Sequence, residues 1–123
     1  YLGTEKHNLN KIYETEDGNH VRSKSEVIIC NLLYKSKIQY AYEEKLPYGE
    51  GKWMEPDFTI TAPNGKVFYW EHIGMLGKEE YDARWIEKLA IYRERFPGQL
   101  LKTYESGNLS QDAMDIINDQ ILT

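Results

Sequence analysis

The sequence predicts an α/β (or α+β) domain in which a central mixed β-sheet is flanked by helices. The predicted elements follow one another in the order αβββαβα. Two of the β segments flank a tight turn and therefore run antiparallel, whereas a helix separates the last β segment from them. With 123 residues, 41% of them hydrophobic, the chain can bury one core, and no second domain is expected.

The first predicted helix follows a polar segment. Residues 1–22 are expected to form an N-terminal arm or a weak hairpin, with a turn at Asp17-Gly18-Asn19, and a single domain is expected to occupy residues 23–123. Residues 23–26, Ser-Lys-Ser-Glu, have the form of a capping box, and apolar side chains follow them. A helix is therefore predicted from this box to about Ser36.

Three β segments and a second helix come next. A strand is predicted over residues 38–46 and a loop over residues 47–51. The two strands of a hairpin are predicted over residues 53–61 and 67–73. A helix is predicted over 79–96, ended by Pro and Gly at 97–98, because large apolar side chains recur there every three or four residues. The recurring side chains are Tyr81, Trp85, Leu89, Tyr92 and Phe96. Residues 99–104 predict a strand, and Ser110 is the predicted N-cap of a last helix to residue 122.

Composition limits the classes of function. A net charge of −5 argues against a protein that coats nucleic acid electrostatically, but not against one that uses nucleic acid as a substrate. The lone Cys30 excludes an internal disulfide and a Cys-based zinc site, which is typical of a cytoplasmic protein. No apolar run of about 18 residues is present, so no membrane partner is expected. Because the chain starts at Tyr1, we expect it to be cut from a longer protein whose other domains are potential partners.

The turn between the hairpin strands decides which side chains meet. A two-residue turn at Asn64-Gly65 would place Asp57 opposite His72. A three-residue loop, with Pro63 in the first central position of a type I turn, would instead place Asp57 opposite Glu71. Proline suits the second geometry, so we predict that Asp57 and Glu71 share a face. Both faces of this hairpin carry large apolar residues, and two covered carboxylates need a cation or a shared proton.

Two further charged residues have alternative interpretations. Glu26 is either the capping-box glutamate or an acid at the end of the buried helix face that touches the sheet. Lys88 lies among the aromatic residues of the second helix, so it either extends along the helix edge into solvent or places its ammonium beside the carboxylates. The sequence leaves both choices open.

These residues resemble the PD-(D/E)xK nuclease superfamily, which has a restriction-endonuclease-like fold. The resemblance runs from about residue 23 to 104 and comprises Glu26 on the first helix, Pro56-Asp57 on one strand, Glu71 on the next, and the order of elements. Residues 88–92 also resemble the Gln-plus-Tyr helix motif of the RecB-like and exonuclease branches, with Lys88 in place of Gln.

The chain departs from the family at one position. The Glu-x-Lys motif would put lysine at position 73, where this sequence has Ile73. By analogy with relatives in which the basic group comes from another element, Lys88 is the first candidate to replace it and Lys45 the second.

The resemblance implies a hydrolase that cleaves phosphodiester bonds, with DNA favoured as the substrate. Mg²⁺ or Mn²⁺ would be held by Asp57, Glu71 and the backbone carbonyl of His72, and by Glu26 directly or through water. The His72 side chain is expected to point away from Asp57 and to be packed. The implied catalytic residues are Glu26, Asp57, Glu71 and Lys88, and the candidate nucleic-acid contacts are Arg22, Lys24 and Arg84. The alternative is an inactive nuclease-like domain that serves as a nucleic-acid or protein interaction module.

Overall fold

The computed structural model describes residues 11–123, so the first part of the predicted arm, residues 1–10, lies outside the described residues. A short hairpin precedes the first helix, which is one of the two alternatives predicted for this segment, and its Val21 is fully buried. The elements are β1 (Tyr13–Glu14), β2 (His20–Val21), α1 (Lys24–Lys35), β3 (Gln39–Tyr42), β4 (Leu46–Gly49), β5 (Lys52–Met54), β6 (Phe58–Thr61), β7 (Val67–Ile73), α2 (Glu79–Arg95), β8 (Leu100–Tyr104) and α3 (Leu109–Ile116), followed by a π-helical turn at Ile117–Ile121.

A four-stranded sheet with the order β3-β6-β7-β8 lies at the centre of the domain. β3, β6 and β7 pair antiparallel, and β8 pairs parallel to β7 because helix α2 carries the chain back across the sheet between them. The predicted mixed sheet with helices at its faces is therefore confirmed.

The two faces of the sheet bury different sets of side chains. Phe58, Ile60 and Trp70 point to one face, where they join the main core with residues of α1 and α3. On the other face, Tyr69 and Met54 pack against Tyr92 of α2. This alternation follows from the period of two along a strand. It places α1 and α3 on one side of the sheet and α2 on the other.

The region between β3 and β6 differs from the prediction. The strand predicted over 38–46 ends at Tyr42, where Glu43 takes a positive φ of 52°. The predicted loop over 47–51 is wrong, since β4 and β5 form a separate hairpin that turns at Gly51 with φ of 67°. The strand predicted over 53–61 is broken at Pro56, which is buried and has no N–H to donate to a ladder.

The two helix N-caps predicted from the sequence can be compared with the N-caps in the structure. The Ser23 side chain accepts a hydrogen bond from the Glu26 backbone N–H at 3.1 Å, so the predicted N-cap of α1 is confirmed. The predicted N-cap at Ser110 is wrong, because α3 begins at Leu109 with Asn108 as its N-cap. Leu109 is only 4% exposed, and its burial in the main core brings the helix start forward. Within residues 11–123, none of the helices combines the length and apolar character needed to cross a bilayer.

Candidate active site

The loop between β6 and β7 sets the register of the site. The Ala62 N–H donates to the Lys66 carbonyl at 2.8 Å, and the Gly65 N–H donates to the Ala62 carbonyl at 2.9 Å, with Gly65 at φ of 88°. This is the predicted three-residue loop, and the two-residue alternative is excluded. The ladder pairs Phe58 with Trp70, so the same register places the preceding residue, Asp57, opposite Glu71.

Asp57 is held at the start of β6 by contacts with two neighbouring segments. Its Oδ2 accepts a hydrogen bond from the His72 backbone N–H at 2.7 Å, and its carbonyl accepts one from the Glu43 N–H at 3.0 Å. Burial, followed by the charge of Glu71, raises the pKa of Asp57 well above its usual value, and the ammonium of Lys88 opposes this shift. A cation beside Asp57 would therefore stabilise its charged form.

Glu71 is 4% exposed and is bound by two side chains of α2. Its Oε2 lies 2.8 Å from Lys88 Nζ and accepts a hydrogen bond from the Tyr92 hydroxyl at 2.5 Å. Lys88 Nζ also donates to the Glu55 carbonyl at 2.9 Å. Burial alone would lower the pKa of Lys88, but the charges of Glu71 and Asp57 raise it, so this lysine is protonated.

Of the two candidate lysines, Lys88 therefore lies beside the carboxylates. Lys45 Nζ lies 4.4 Å from the centroid of the Trp53 ring instead, in a cation–π contact. Lys88 is 15 positions beyond Ile73, yet α2 returns over the sheet face that carries Glu71. The structure thus supplies an ammonium to the acids although position 73, where the resemblance would put lysine, holds isoleucine.

Glu26 takes a position between the two roles considered from the sequence. Its Oε1 accepts hydrogen bonds from the Tyr42 hydroxyl at 2.9 Å and from the Arg22 backbone N–H at 3.0 Å. The carboxylate thus satisfies an N–H just ahead of its own helix. Burial raises the pKa of Glu26, and its charge contributes to the raised pKa of Asp57. Glu26 is therefore within electrostatic range of the pair, although it does not line the cleft.

A cleft of about 910 Å³ opens over the acid pair. Its floor contains Asp57, Glu71 and Ile73. One wall is the β4–β5 hairpin and the other is helix α2. The carboxylates thus lie between the β4–β5 hairpin and α2, in a cleft that a ligand can enter.

Of the three predicted nucleic-acid contacts, two line the cleft and one does not. Arg84 is exposed and lines the cleft. Arg22 also lines it, but its guanidinium pairs with Glu43 through Nε at 2.7 Å and Nη2 at 3.0 Å. Lys24 is exposed and lies outside the cleft. The cleft therefore brings Arg22 and Arg84 to the acids but not Lys24.

The His72 side chain points to the opposite face of the sheet, as strand alternation predicts. Its Nδ1 lies 2.9 Å from the Thr103 hydroxyl, and its Nε2 lies 3.7 Å from a Glu105 carboxylate oxygen. Burial lowers its pKa, and Glu105 opposes this shift. The imidazole is a packed group that links β7 to β8.

Two residues of the site were not among the predicted site residues, although one of them, Tyr92, is the tyrosine of the resemblance noted at residues 88–92. Tyr92 lies four residues after Lys88, and this helical spacing beside an acid-binding lysine is a usable signal. Glu43 is different, because its contact with Asp57 depends on a positive φ at a residue other than glycine. No local pattern indicates that conformation.

The residues present suit a hard divalent cation. Across residues 11–123, no group of three or more His, Cys, Asp and Glu side chains forms a metal-binding cluster. Mg²⁺, however, commonly keeps several waters and takes only one or two carboxylates together with substrate oxygens. Asp57 and Glu71 provide two carboxylates at adjacent positions, and Asp57 Oδ1 has no hydrogen-bond partner among the described residues.

The chain is similar to an uncharacterized protein of Methanocaldococcus jannaschii. They share 38% identity over 84 residues, which is 65% of this chain. The matched part is 7% of the length of that curated relative. No family model and no solved structure matches the chain.

Proposed function

We propose that this chain is a metal-dependent nuclease domain of the PD-(D/E)xK type, with a restriction-endonuclease-like core, that hydrolyses phosphodiester bonds and favours DNA. One observation carries the proposal: Asp57 and Glu71 face each other in register on the floor of a cleft, with Lys88 Nζ 2.8 Å from Glu71. The order of helices and strands around this pair supports the fold assignment.

Asp57, Glu71 and the backbone carbonyl of His72 would hold Mg²⁺ or Mn²⁺ through hard oxygen ligands. When bound, the cation acidifies water and offsets negative charge on the phosphate. Glu26 adds negative charge nearby, and since its Oε1 is bound to Tyr42 and the Arg22 N–H, we assign it an indirect role through water. The raised pKa of Asp57 supports cation binding, because a bound positive charge would remove the repulsion that causes the shift.

Other groups of the site would have separate roles in the hydrolysis. In the reaction a water oxygen forms a bond to phosphorus and releases a proton, the ester P–O bond breaks, and the leaving oxygen takes up a proton. The ammonium of Lys88, which pairs with Glu71, would donate to a phosphate oxygen on which charge develops. The Tyr92 hydroxyl and the Glu55 carbonyl fix Glu71 and Lys88 respectively, which preorganises the site.

Basic side chains at the rim would position the phosphate backbone. Arg84 is exposed within the cleft, whereas the guanidinium of Arg22 is partly occupied by Glu43. The net charge of −5 leaves little general attraction for DNA, so a larger DNA-processing or defence protein is part of the proposal.

A second candidate function is a nuclease-like module that binds without cleaving. Ile73 favours it, because isoleucine cannot donate a proton or stabilise a phosphate at the position where the family has lysine. The ion pair between Lys88 and Glu71 also neutralises one acid without any metal.

Cleavage assays separate the two functions. The chain is incubated with linear, circular and single-stranded DNA in Mn²⁺, with and without a chelator, beside Asp57→Ala and the control Asp119→Ala, whose aspartate is exposed and outside the cleft. The nuclease proposal expects chelator-sensitive cleavage by the wild type and the control only. Equal cleavage by Asp57→Ala would contradict the site, and DNA binding without cleavage by any protein would support the module.

A further inference from the structure

The two walls of the cleft each carry an indole ring. Trp53 is on β5, and Trp85 is on α2. Trp85 lies three residues before Lys88, so the two side chains are neighbours on the same face of the helix. One turn of helix thus separates an aromatic ring from the ammonium that contacts Glu71.

No hydrogen bond or ring contact within residues 11–123 accounts for the position of Trp85. It is partly exposed, and its indole makes no hydrogen bond and no ring contact with any residue of the described range 11–123. Trp70, in contrast, is fully buried and donates from Nε1 to the Thr103 hydroxyl. The aromatic packing under α2 is made by Tyr69, Tyr92 and Phe96. The Trp85 ring is therefore available to a ligand in the cleft.

Trp53 is held more firmly than Trp85. Lys45 Nζ lies 4.4 Å from the centroid of its ring, a contact that orients the indole and places a positive charge against it. Lys52 and Arg84, both exposed, line the same cleft on the two walls. Aromatic rings with cations beside them form the arrangement that binds unpaired nucleotides, since the rings stack on bases and the cations contact phosphates.

We propose that the cleft takes single-stranded nucleic acid, with an unpaired base stacked on Trp85 beside the phosphate that lies over Asp57 and Glu71. This inference rests on the proposed function and names its substrate class. In a duplex both faces of each base are covered by neighbouring bases, so a base reaches the indole only when its strand is unpaired. A cleft of about 910 Å³ has the size of a small-ligand pocket and suits a few nucleotides.

Binding can be measured without cleavage. Fluorescence anisotropy in Ca²⁺ compares a labelled twelve-nucleotide oligo-dT with a blunt duplex of the same length, for the wild type, Trp85→Ala and Trp85→Phe. Ile86→Ala is the matched control, because Ile86 is the next residue on the helix, is 66% exposed and does not line the cleft. We expect the wild type to bind the single strand about tenfold more tightly than the duplex.

Loss of one stacked base should weaken single-strand binding by roughly fivefold to a hundredfold in Trp85→Ala. Trp85→Phe should recover part of the loss, and Ile86→Ala should bind as the wild type does. Equal affinity for the duplex, or an unchanged affinity in Trp85→Ala, would overturn the inference. If Mn²⁺-dependent cleavage that requires Asp57 persisted in that case, the nuclease proposal would stand and only the substrate class would be wrong.

Discussion

Asp57 and Glu71 lie opposite each other where β6 and β7 meet, on the face of the sheet that α2 covers. Each carboxylate is fixed by a different part of the fold. Asp57 is bound by the backbone N–H of His72, and Glu71 by the side chains of Lys88 and Tyr92. Repulsion between the acids is therefore offset on one side by an ammonium, while Asp57 keeps a raised pKa.

Replacing Lys88 should affect both stability and cleavage. Lys88→Met leaves the buried Glu71 without its cation, and breaking a partly buried ion pair of this kind costs about 3 kcal/mol in the free energy of unfolding. Metal-dependent cleavage should fall by roughly a hundredfold or more. Urea denaturation and initial cleavage rates measure the two effects. Lys78→Ala, at an exposed lysine whose side chain makes no capping hydrogen bond, is the control. Full activity in Lys88→Met would remove this lysine from the proposed mechanism.

Removing the Tyr92 hydroxyl isolates its bond to Glu71. Tyr92→Phe keeps the ring contacts with Tyr69 and Phe96 but leaves a buried carboxylate oxygen with one donor fewer, which should cost about 1–2 kcal/mol. The Mn²⁺ concentration for half-maximal cleavage should rise, because Glu71 is less firmly placed. Tyr34→Phe, at a tyrosine that is 52% exposed, should change neither quantity. An unchanged Mn²⁺ dependence in Tyr92→Phe would contradict this role.

Manganese should raise the melting temperature of the wild type. A ligand at 100 times its dissociation constant stabilises the folded state by about 2.7 kcal/mol, which corresponds to a shift of roughly 10 °C in a domain of this size. The shift should be lost in Asp57→Ala and kept in Asp119→Ala. The informative quantity is the difference in melting temperature with and without Mn²⁺ for each protein, since removal of the half-buried Asp57 changes the melting temperature by itself. No shift in the wild type, in buffer that keeps Mn²⁺ dissolved, would count against the metal site.

Cys30 should resist alkylation until the domain unfolds. The thiol is fully buried, and burial raises its pKa to about 12. Because the unfolded pKa is near 8.5, this group stabilises the fold fully below that pH and loses its contribution as the pH rises towards 12. Iodoacetamide at pH 9 should therefore react slowly with the native protein and quickly in urea. Rapid modification of the native protein would show that the core around Cys30 opens.

The sequence was most informative where contacts are local. The Ser23 cap and the loop at Pro63-Asn64-Gly65 depend on residues within a few positions of each other, and both are as predicted. The β4–β5 hairpin was missed, because Pro and Gly there indicate a loop and only its pairing partner makes residues 46–49 a strand. The start of α3 was misplaced because burial of Leu109 outweighs the capping preference of Ser110.

The candidate site also contains some contacts that the sequence predicted and others that only the tertiary structure decided. Strand alternation and turn geometry were sufficient to place Asp57 opposite Glu71, since a hairpin register follows from its loop. Packing of α2 across the sheet brings Lys88 and Tyr92 to Glu71, whereas Lys45, which directly precedes β4, contacts Trp53 of the neighbouring strand β5. The contacts of Lys88 and Tyr92 with Glu71 join segments that are distant in the chain. The local pattern at residues 88–92 could therefore make Lys88 a candidate, but only the packing of whole elements decided that it, and not Lys45, reaches the acids.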